Sequence, residues 1–146
     1  MRVLFLGTHT PKLDDKGRMV LPAKYRPHLE RGLVITRGQE NCLYVYAQEE
    51  FERQAMQWQS TPTTNRKVRD YQRLFLSGAY DEVPDRQGRV TIPQMLRDYA
   101  GLSTECTVIG AGNRLEVWDT ARWTDYLAAA EEDYSTQSEE VVPGLM

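Results

Sequence analysis

Residues 14–26 read DDKGRMVLPAKYR and residues 85–97 read DRQGRVTIPQMLR, so one stretch occurs twice, 71 positions apart. An aspartate, a glycine, an arginine, a proline and a final arginine are identical between the copies, and the apolar positions between them match in character. Self-similarity at a fixed offset is the signature of a duplicated structural unit. The chain is therefore predicted to contain two copies of one fold element.

The duplication extends beyond this motif in both directions, since LFLG at 4–7 corresponds to LFLSG at 74–78, and LYVY at 43–46 to LEVW at 115–118. Each half is then about fifty residues long, which is small for an independent core. We therefore expect a single globular unit. Its predicted parts are repeat 1 (3–52), a helical connector (53–74), repeat 2 (75–123), and a C-terminal helix with an acidic tail (124–146).

Local signals predict the order of elements within each repeat. Gly17 and Gly88 supply the positive φ that a tight turn requires. The alternating stretch that follows predicts a strand, and Pro22 and Pro93 are suited to the first turn of a short helix. We expect that helix to run to about Leu29 in the first repeat.

Periodicity predicts the remaining elements, with strands dominating each half. Asn65 is a suitable N-cap for a helix that begins at the next residue. The expected strands are 3–7, 33–36 and 43–46 with their counterparts in repeat 2, and the expected helices are 48–59, 66–76 and 123–134.

Composition argues against several classes of protein. The two cysteines, Cys42 and Cys106, form no CxxC or Cys/His cluster, so we expect reduced thiols. No apolar run approaches the roughly 20 residues that span a bilayer, and we expect a cytoplasmic protein. The only histidines are His9 and His28, and no nucleophile, zinc or phosphate-loop motif occurs. We therefore predict that the chain is not an enzyme and has no metal site.

The net charge of −3 argues against binding to nucleic acid through bulk positive charge. However, residues 131–146 hold five acids and no base, so the first 130 residues carry 18 bases and 16 acids. The bases of the first repeat crowd around its motif, although a solvated polar face would have the same composition. These bases are Lys12, Lys16, Arg18, Lys24, Arg26 and Arg31.

The motif itself resembles the AbrB/SpoVT superfamily of bacterial transition-state regulators. It combines an aspartate, a Gly-Arg turn, an alternating strand, a Leu-Pro or Ile-Pro step and a short helix that ends near an arginine. Two copies in one chain, the chain length and the opening FLGTHTPKLDDKGR at 5–18 resemble a two-copy branch of that superfamily. The resemblance covers about residues 3–130.

This resemblance implies a mainly β fold with short α-helices. The expected architecture is a swapped-hairpin β-barrel formed by two pseudo-symmetric β-α-β repeats, in which strands of the two halves interdigitate about a pseudo-twofold axis. It also implies a ring-shaped homo-oligomer that binds short direct repeats in double-stranded DNA. That DNA lies upstream of the cell-division and cell-wall gene cluster that contains the protein's own gene. Such proteins are nucleoid-associated transcriptional regulators, commonly repressors, and no cofactor is implied.

The motif residues divide into expected DNA contacts and expected structural residues. Arginine forms bidentate contacts with phosphate or guanine, and lysine binds phosphate. The expected DNA contacts are Arg18, Lys16, Lys12, Lys24, Arg89 and Arg86. The first copy is favoured because acids flank the second, namely Asp81, Glu82 and Asp85. The expected structural residues are Asp14, Gly17, Pro22, Asp85, Gly88 and Pro93.

Two alternatives stay open from the sequence. Asp14 and Asp85 can each accept backbone N–H groups and pair with the arginine four residues on, which would give Arg18 and Arg89 a structural role. The whole chain could also be a protein-interaction module of the antitoxin type. The duplication argues against that class, in which one unit precedes a disordered extension. The apolar anchors for a partner would be Val141, Val142, Leu145 and Met146.

Overall fold

The structure, a computed structural model, describes residues 3–136 and contains eight strands and five α-helices in that range. The strands are β1 Thr8–His9, β2 Arg18–Val20, β3 Leu33–Arg37, β4 Leu43–Ala47, β5 Tyr80–Glu82, β6 Arg89–Thr91, β7 Cys106–Gly110 and β8 Leu115–Asp119. The helices are α1 Arg26–Leu29, α2 Gln48–Gln59, α3 Arg66–Ser77, α4 Gln94–Ala100 and α5 Thr120–Thr136. Helical residues outnumber strand residues, so the chain is mixed α and β.

Strands of the two repeats interleave in both sheets. The larger sheet is antiparallel, with the order β1-β7-β8-β4-β3-β5, so β1 of repeat 1 pairs with β7 of repeat 2 and β5 of repeat 2 pairs with β3 of repeat 1. The smaller sheet is a two-stranded ribbon of β2 and β6. Neither repeat therefore forms a sheet of its own.

The register of the strands follows a pseudo-twofold axis. Met19 lies opposite Val90 in the ribbon, and these two residues are equivalent in the two motifs. In the larger sheet Tyr44 lies opposite Glu116, another pair of equivalent positions. The interdigitation about a pseudo-twofold axis that the resemblance implies is thus present.

The larger sheet does not close into a barrel within the described residues: it ends at β1 and β5, and the ribbon is a separate sheet. The second edge of each ribbon strand is occupied by its own turn. Asp14 N–H donates to Arg18 O at 2.9 Å, and Asp85 N–H donates to Arg89 O at 3.1 Å. The outward backbone groups of Arg18 and Arg89 are therefore already used by their own turns.

The main core lies between the larger sheet and the ribbon. Met19 and Val90, each 1% exposed, point inward and belong to the same buried cluster as Leu33, Val45 and Val117 of the sheet. The short helices α1 and α4 add Leu29 and Leu96 to this core, both fully buried. Apolar burial on this scale is the main favourable term for folding.

The opposite face of the larger sheet carries aromatic side chains, and α2, α3 and α5 cover it. Phe51 stacks on Phe75 with ring centroids 5.4 Å apart, and Trp58 stacks on Tyr71 at 4.4 Å. Trp118 packs beside Trp123 of α5 at 5.2 Å. The sheet is therefore covered on both faces, unlike a sheet that faces solvent on one side.

Several predicted elements are confirmed. Helix α2 has the expected bounds, α3 is one residue longer than expected, and Asn65 caps α3 by accepting the N–H of Lys67 at 2.8 Å. Both cysteines are buried free thiols. Burial raises the pKa of Cys106 to about 11 and raises that of Cys42 further, so both thiols stay protonated at neutral pH.

Other predicted elements differ from the structure. The strand expected at 3–7 is reduced to one bridge between Phe5 and Gly112, since Gly7 with φ +93° redirects the chain before β1. The helix expected after Pro22 is a 3₁₀ turn, Ala23–Tyr25, followed by α1, because Pro27 fits only the first turn of an α-helix. Helix α5 begins three residues before the expected start.

None of the helices in residues 3–136 is both long and apolar enough to cross a bilayer. The anchors proposed for a partner, Val141, Val142, Leu145 and Met146, lie outside the described residues.

Candidate nucleic-acid interface

Each motif begins with a tight turn built around its aspartate. Asp14 Oδ1 accepts the backbone N–H of Lys16 at 2.9 Å and that of Arg18 at 2.8 Å, while Oδ2 accepts Nε–H of Arg18 at 2.8 Å. Gly17, with φ +77°, closes the turn by donating its N–H to Asp14 O at 3.1 Å. One carboxylate therefore holds both the backbone and the arginine of the turn.

The second motif repeats this geometry. Asp85 accepts the N–H groups of Gln87 and Arg89, both at 2.9 Å, and Nε–H of Arg89 at 2.7 Å. Gly88 has φ +76°. Both aspartates thus have the structural role that the sequence left open, and each arginine is bonded to its aspartate through Nε.

These hydrogen bonds shift the titration of both carboxyl groups. The bond from the N–H of Arg18 is the largest cause that lowers the pKa of Asp14, and the bond from the N–H of Arg89 lowers the pKa of Asp85 in the same way. A lowered pKa keeps a carboxyl group charged at neutral pH. Both Asp-Arg pairs are therefore intact under physiological conditions.

The ribbon places the two motif arginines on one outward face. Arg18 lies opposite Thr91, and Val20 lies opposite Arg89. Directly opposed residues of an antiparallel pair point to the same side, and alternate residues of a strand share a face. Because Met19 points into the core, Arg18 and Arg89 point outward, with 29% and 33% of their side chains exposed.

Lys16 and Arg86 extend this face at its two ends. Both are exposed residues of the turns, and neither makes a salt bridge within the described part of the chain. We call the outward face of β2 and β6 together with the two turns the ribbon face. It combines arginines of both repeats, all of them among the contacts expected from the sequence, which favoured the first repeat over the second.

The two remaining expected contacts have other partners. Lys12 lies 3.6 Å from Glu105 in a pair whose side chains are 69% and 60% exposed, so the pair contributes little. The ammonium of Lys24 lies 5.6 Å from the ring centroid of Tyr25. Neither residue belongs to the ribbon face.

The prolines of both motifs stand directly before a helix. Pro22 precedes the 3₁₀ turn and accepts the N–H of Tyr25 at 2.9 Å. Pro93 is the N-cap residue of α4 and accepts the N–H of Arg97 at 3.0 Å. Both prolines therefore end a ribbon strand and start the element that follows it.

The last identical position of the motif, Arg26 and Arg97, has a role that was not predicted from the sequence. Nε–H of Arg26 donates to Leu21 O at 3.0 Å, and Nε–H of Arg97 donates to Ile92 O at 2.9 Å. Each guanidinium also lies against the turn of the other repeat. Identity of both residues at one offset was the available signal, but the sequence cannot reveal which turn each one contacts.

Acidic groups lie near one end of the ribbon face. Glu82 accepts the N–H of Thr91 at 2.8 Å, and burial is the largest cause that raises its pKa. Elsewhere in residues 3–136, no group of three or more His, Cys, Asp or Glu side chains is arranged to hold a metal ion. The ribbon face therefore presents four cationic side chains, Lys16, Arg18, Arg86 and Arg89, beside the aspartates of the two turns.

We expect Asp14→Ala to loosen the first turn, because it removes three hydrogen bonds at once. Amide exchange at Lys16 and Arg18 should accelerate about tenfold or more at neutral pH, measured by NMR. The folded-state pKa is lowered, so the contribution of Asp14 is present above its ordinary value of 3.8 and is lost as pH falls through the lowered folded value.

The exposed neighbour provides the control for that experiment. Asp15→Ala removes the same charge from the same turn, and exchange should stay within about twofold of wild type. Equal acceleration in both variants would show that charge alone, not the hydrogen bonds of Asp14, orders the turn.

The matches of this chain to known proteins show the same duplication. The family model described as "MraZ protein, putative antitoxin-like" matches the chain twice, at residues 4–74 and 75–143. The protein named Transcriptional regulator MraZ in Kocuria rhizophila is 58% identical over 142 residues, covering 97% of this chain and 99% of that protein. The protein of the same name in Kineococcus radiotolerans is 55% identical over 143 residues, covering 98% of this chain and all of that protein.

A third relative of that name, from Micrococcus luteus, is 57% identical over 142 residues, covering 97% of this chain and 99% of the relative. The names describe transcriptional regulators and not enzymes. The resemblance to a two-copy family of regulators is thus confirmed. With identity above half along almost its whole length and two successive matches to one family model, the chain belongs to the MraZ family.

Proposed function

We propose that this chain is a transcriptional regulator that binds double-stranded DNA through the ribbon face. The observation that carries the proposal is the placement of Arg18 and Arg89 on one outward surface, between Lys16 and Arg86. The names of the relatives support a role in the regulation of transcription. The geometry of the ribbon face supports it as the surface that would contact DNA.

The chemistry of the ribbon face fits a nucleic acid. A two-stranded ribbon is narrow enough for the major groove, where guanidinium groups can contact guanine O6 and N7. The Nε bonds to Asp14 and Asp85 hold both guanidinium groups in a fixed direction, which lowers the entropy lost on binding. Lys16 and Arg86 are suited to the phosphates on either side.

Lys12 and Lys24 are proposed as weaker phosphate contacts at the margin of this surface. The ion pair of Lys12 with Glu105 is exposed and easily exchanged for a phosphate. Neither lysine would specify sequence, because phosphate contacts set position only.

The resemblance also suggests the target and the assembly. We propose that the chain binds direct repeats upstream of its own cell-division and cell-wall gene cluster and represses it as a ring-shaped homo-oligomer at the nucleoid in the cytoplasm. One ribbon face offers few cationic groups. Several copies spaced to match repeated sites would raise the overall affinity through avidity, without new contacts.

The test is DNA binding to the region upstream of the gene, with scrambled DNA as competitor, at several salt concentrations. Wild type should prefer the upstream DNA, and Lys16→Ala should lower affinity and reduce the slope of log affinity against log salt by about one unit per bound chain. Lys16 is a cleaner probe than Arg18, whose removal would also free Asp14.

Lys67→Ala is the matched control, since it removes one exposed lysine from α3, away from the ribbon. It should leave affinity within about twofold of wild type. If Lys67→Ala weakens binding as much as Lys16→Ala, DNA does not bind at the ribbon face. If wild type shows no preference for the upstream DNA, the regulatory proposal is wrong for this region.

The second candidate is a protein-interaction module of antitoxin type, which the family description "antitoxin-like" favours. A chain truncated after residue 136 separates the two candidates. DNA binding should survive the truncation if the ribbon face carries it. Loss of a co-purifying protein partner, with no effect on DNA binding, would support the antitoxin-type function.

A further inference from the structure

The turn of each motif is covered by an arginine from the other repeat. A Cβ placed on Gly17 would lie 2.7 Å from Cζ of Arg97, and a Cβ placed on Gly88 would lie 2.5 Å from Nε of Arg26. Both glycines are buried although they lie in surface turns. The guanidinium groups therefore lie directly against the glycine backbone, where only the absence of a side chain allows the approach.

Backbone hydrogen bonds cross between the repeats at the same places. The N–H of Ile92 donates to Gly17 O at 2.9 Å, and the N–H of Leu21 donates to Gly88 O at 2.8 Å. The residues that donate these bonds, Leu21 and Ile92, directly follow the ribbon strands. The carbonyl of Leu21 accepts Nε–H of Arg26, and the carbonyl of Ile92 accepts Nε–H of Arg97. Arg26, Leu21 and Gly88 thus form one contact cluster, and Arg97, Ile92 and Gly17 form the equivalent cluster on the other side of the axis.

We propose that Arg26 and Arg97 are positioning residues that act crosswise. Arg97 of repeat 2 sets the turn that carries Lys16 and Arg18, and Arg26 of repeat 1 sets the turn that carries Arg86 and Arg89. This inference rests on the proposed DNA-binding function, which it extends to residues that do not themselves contact DNA.

The physical reason is the shape of the guanidinium group. Its plane can lie flat on a peptide while Nε bonds a carbonyl, whereas a lysine ammonium is a compact charge on a flexible stem. Arg→Lys therefore keeps the charge and most of the apolar stem but removes the flat contact. The turn above it would then sample more conformations, and its basic side chains would lose their common direction.

The first test is amide exchange by NMR in Arg97→Lys and Arg26→Lys, which are matched to each other by the pseudo-twofold axis. Arg97→Lys should accelerate exchange at Gly17 and Arg18 at least tenfold and leave Gly88 and Arg89 within about twofold of wild type. Arg26→Lys should do the reverse.

A general loss of stability would not produce this crosswise pattern, because it would accelerate exchange at both turns in each variant. Equal acceleration at both turns in both variants would overturn the proposal, as would acceleration confined to the turn of the same repeat. Arg97 also bonds Gln94 Oε1 at 3.0 Å, so Gln94→Ala is the control for that contact and should leave both turns unchanged.

The second test is DNA affinity in combined variants. Arg97→Lys should lower DNA affinity severalfold. Its effect on the binding free energy should not be additive with that of Lys16→Ala, because both substitutions act through the first turn. The effects of Arg97→Lys and Arg86→Ala should be additive. Full additivity with Lys16→Ala would overturn the positioning role. If wild type does not bind DNA, the proposed function fails, while the exchange experiment still tests the crosswise contact.

Discussion

Gly110→Ala is expected to destabilise the protein by about 3–5 kcal/mol, because the added methyl group would collide with backbone atoms that cannot move aside. A Cβ on Gly110 would lie 2.3 Å from the backbone nitrogen of Leu6 and 2.4 Å from the carbonyl carbon of Phe5. The N-terminal segment crosses β7 at this point, where the N–H of Gly110 donates to Gly7 O at 2.8 Å. The free energy of unfolding from urea denaturation measures the effect.

Gly112→Ala is the control, two residues further along the same crossing. Gly112 has φ +85°, but a Cβ there would meet no atom within 4 Å. The substitution should cost only the strain of a left-handed conformation, about 1–2 kcal/mol. Equal losses in the two variants would show that backbone conformation, and not the close approach at Gly110, governs this site.

Glu116→Ala is expected to cost about 2–4 kcal/mol, because it leaves the Arg114 guanidinium without its carboxylate and the indole N–H of Trp118 without its acceptor beneath the helical layer. Glu116 is 9% exposed and accepts two hydrogen bonds from Arg114, at 2.7 and 3.1 Å. It also accepts Nε1–H of Trp118 at 3.1 Å. The expected loss of stability is smaller than for a fully buried ion pair, since 28% of the Arg114 side chain is exposed.

A double variant distinguishes the cost of the lost pair from the cost of the charge left behind. Arg114→Met with Glu116→Gln removes both charges and keeps an acceptor for Trp118. It should lose less than half as much stability as Glu116→Ala, measured by the same denaturation experiment. An equal loss would mean that the ion pair itself stabilises the sheet.

Local chemistry made several features readable from the sequence. A turn needs a residue with positive φ, and the Asp-x-x-Gly-Arg pattern supplies it together with an acceptor for the next N–H groups; both turns have this geometry. Helices α2 and α3 were predictable because their apolar residues recur at helical spacing and Asn65 caps the second of them. These signals act over a few residues, so sequence neighbours are enough to reveal them.

The structure departs from expectation in how the ribbon pairs and in how far the last helix extends. The larger sheet stays open, and one residue of each ribbon strand, Arg18 or Arg89, bonds its own turn, which competes with the pairing that a closed barrel requires. The helices contribute more residues than expected, since α5 starts early and continues to Thr136. The pairing of the ribbon does not depend on local propensity alone, because it is a choice between partners that only the folded chain brings together.

The sequence by itself determined the duplication, the two aspartate-glycine turns and the family to which the chain belongs. The tertiary structure decided that the strands of one repeat pair with those of the other, which puts Arg18 and Arg89 on one face and lays Arg97 over Gly17. The physical reason is that equivalent residues of two repeats have equal local preferences. Only packing about the common axis determines which copy each residue meets.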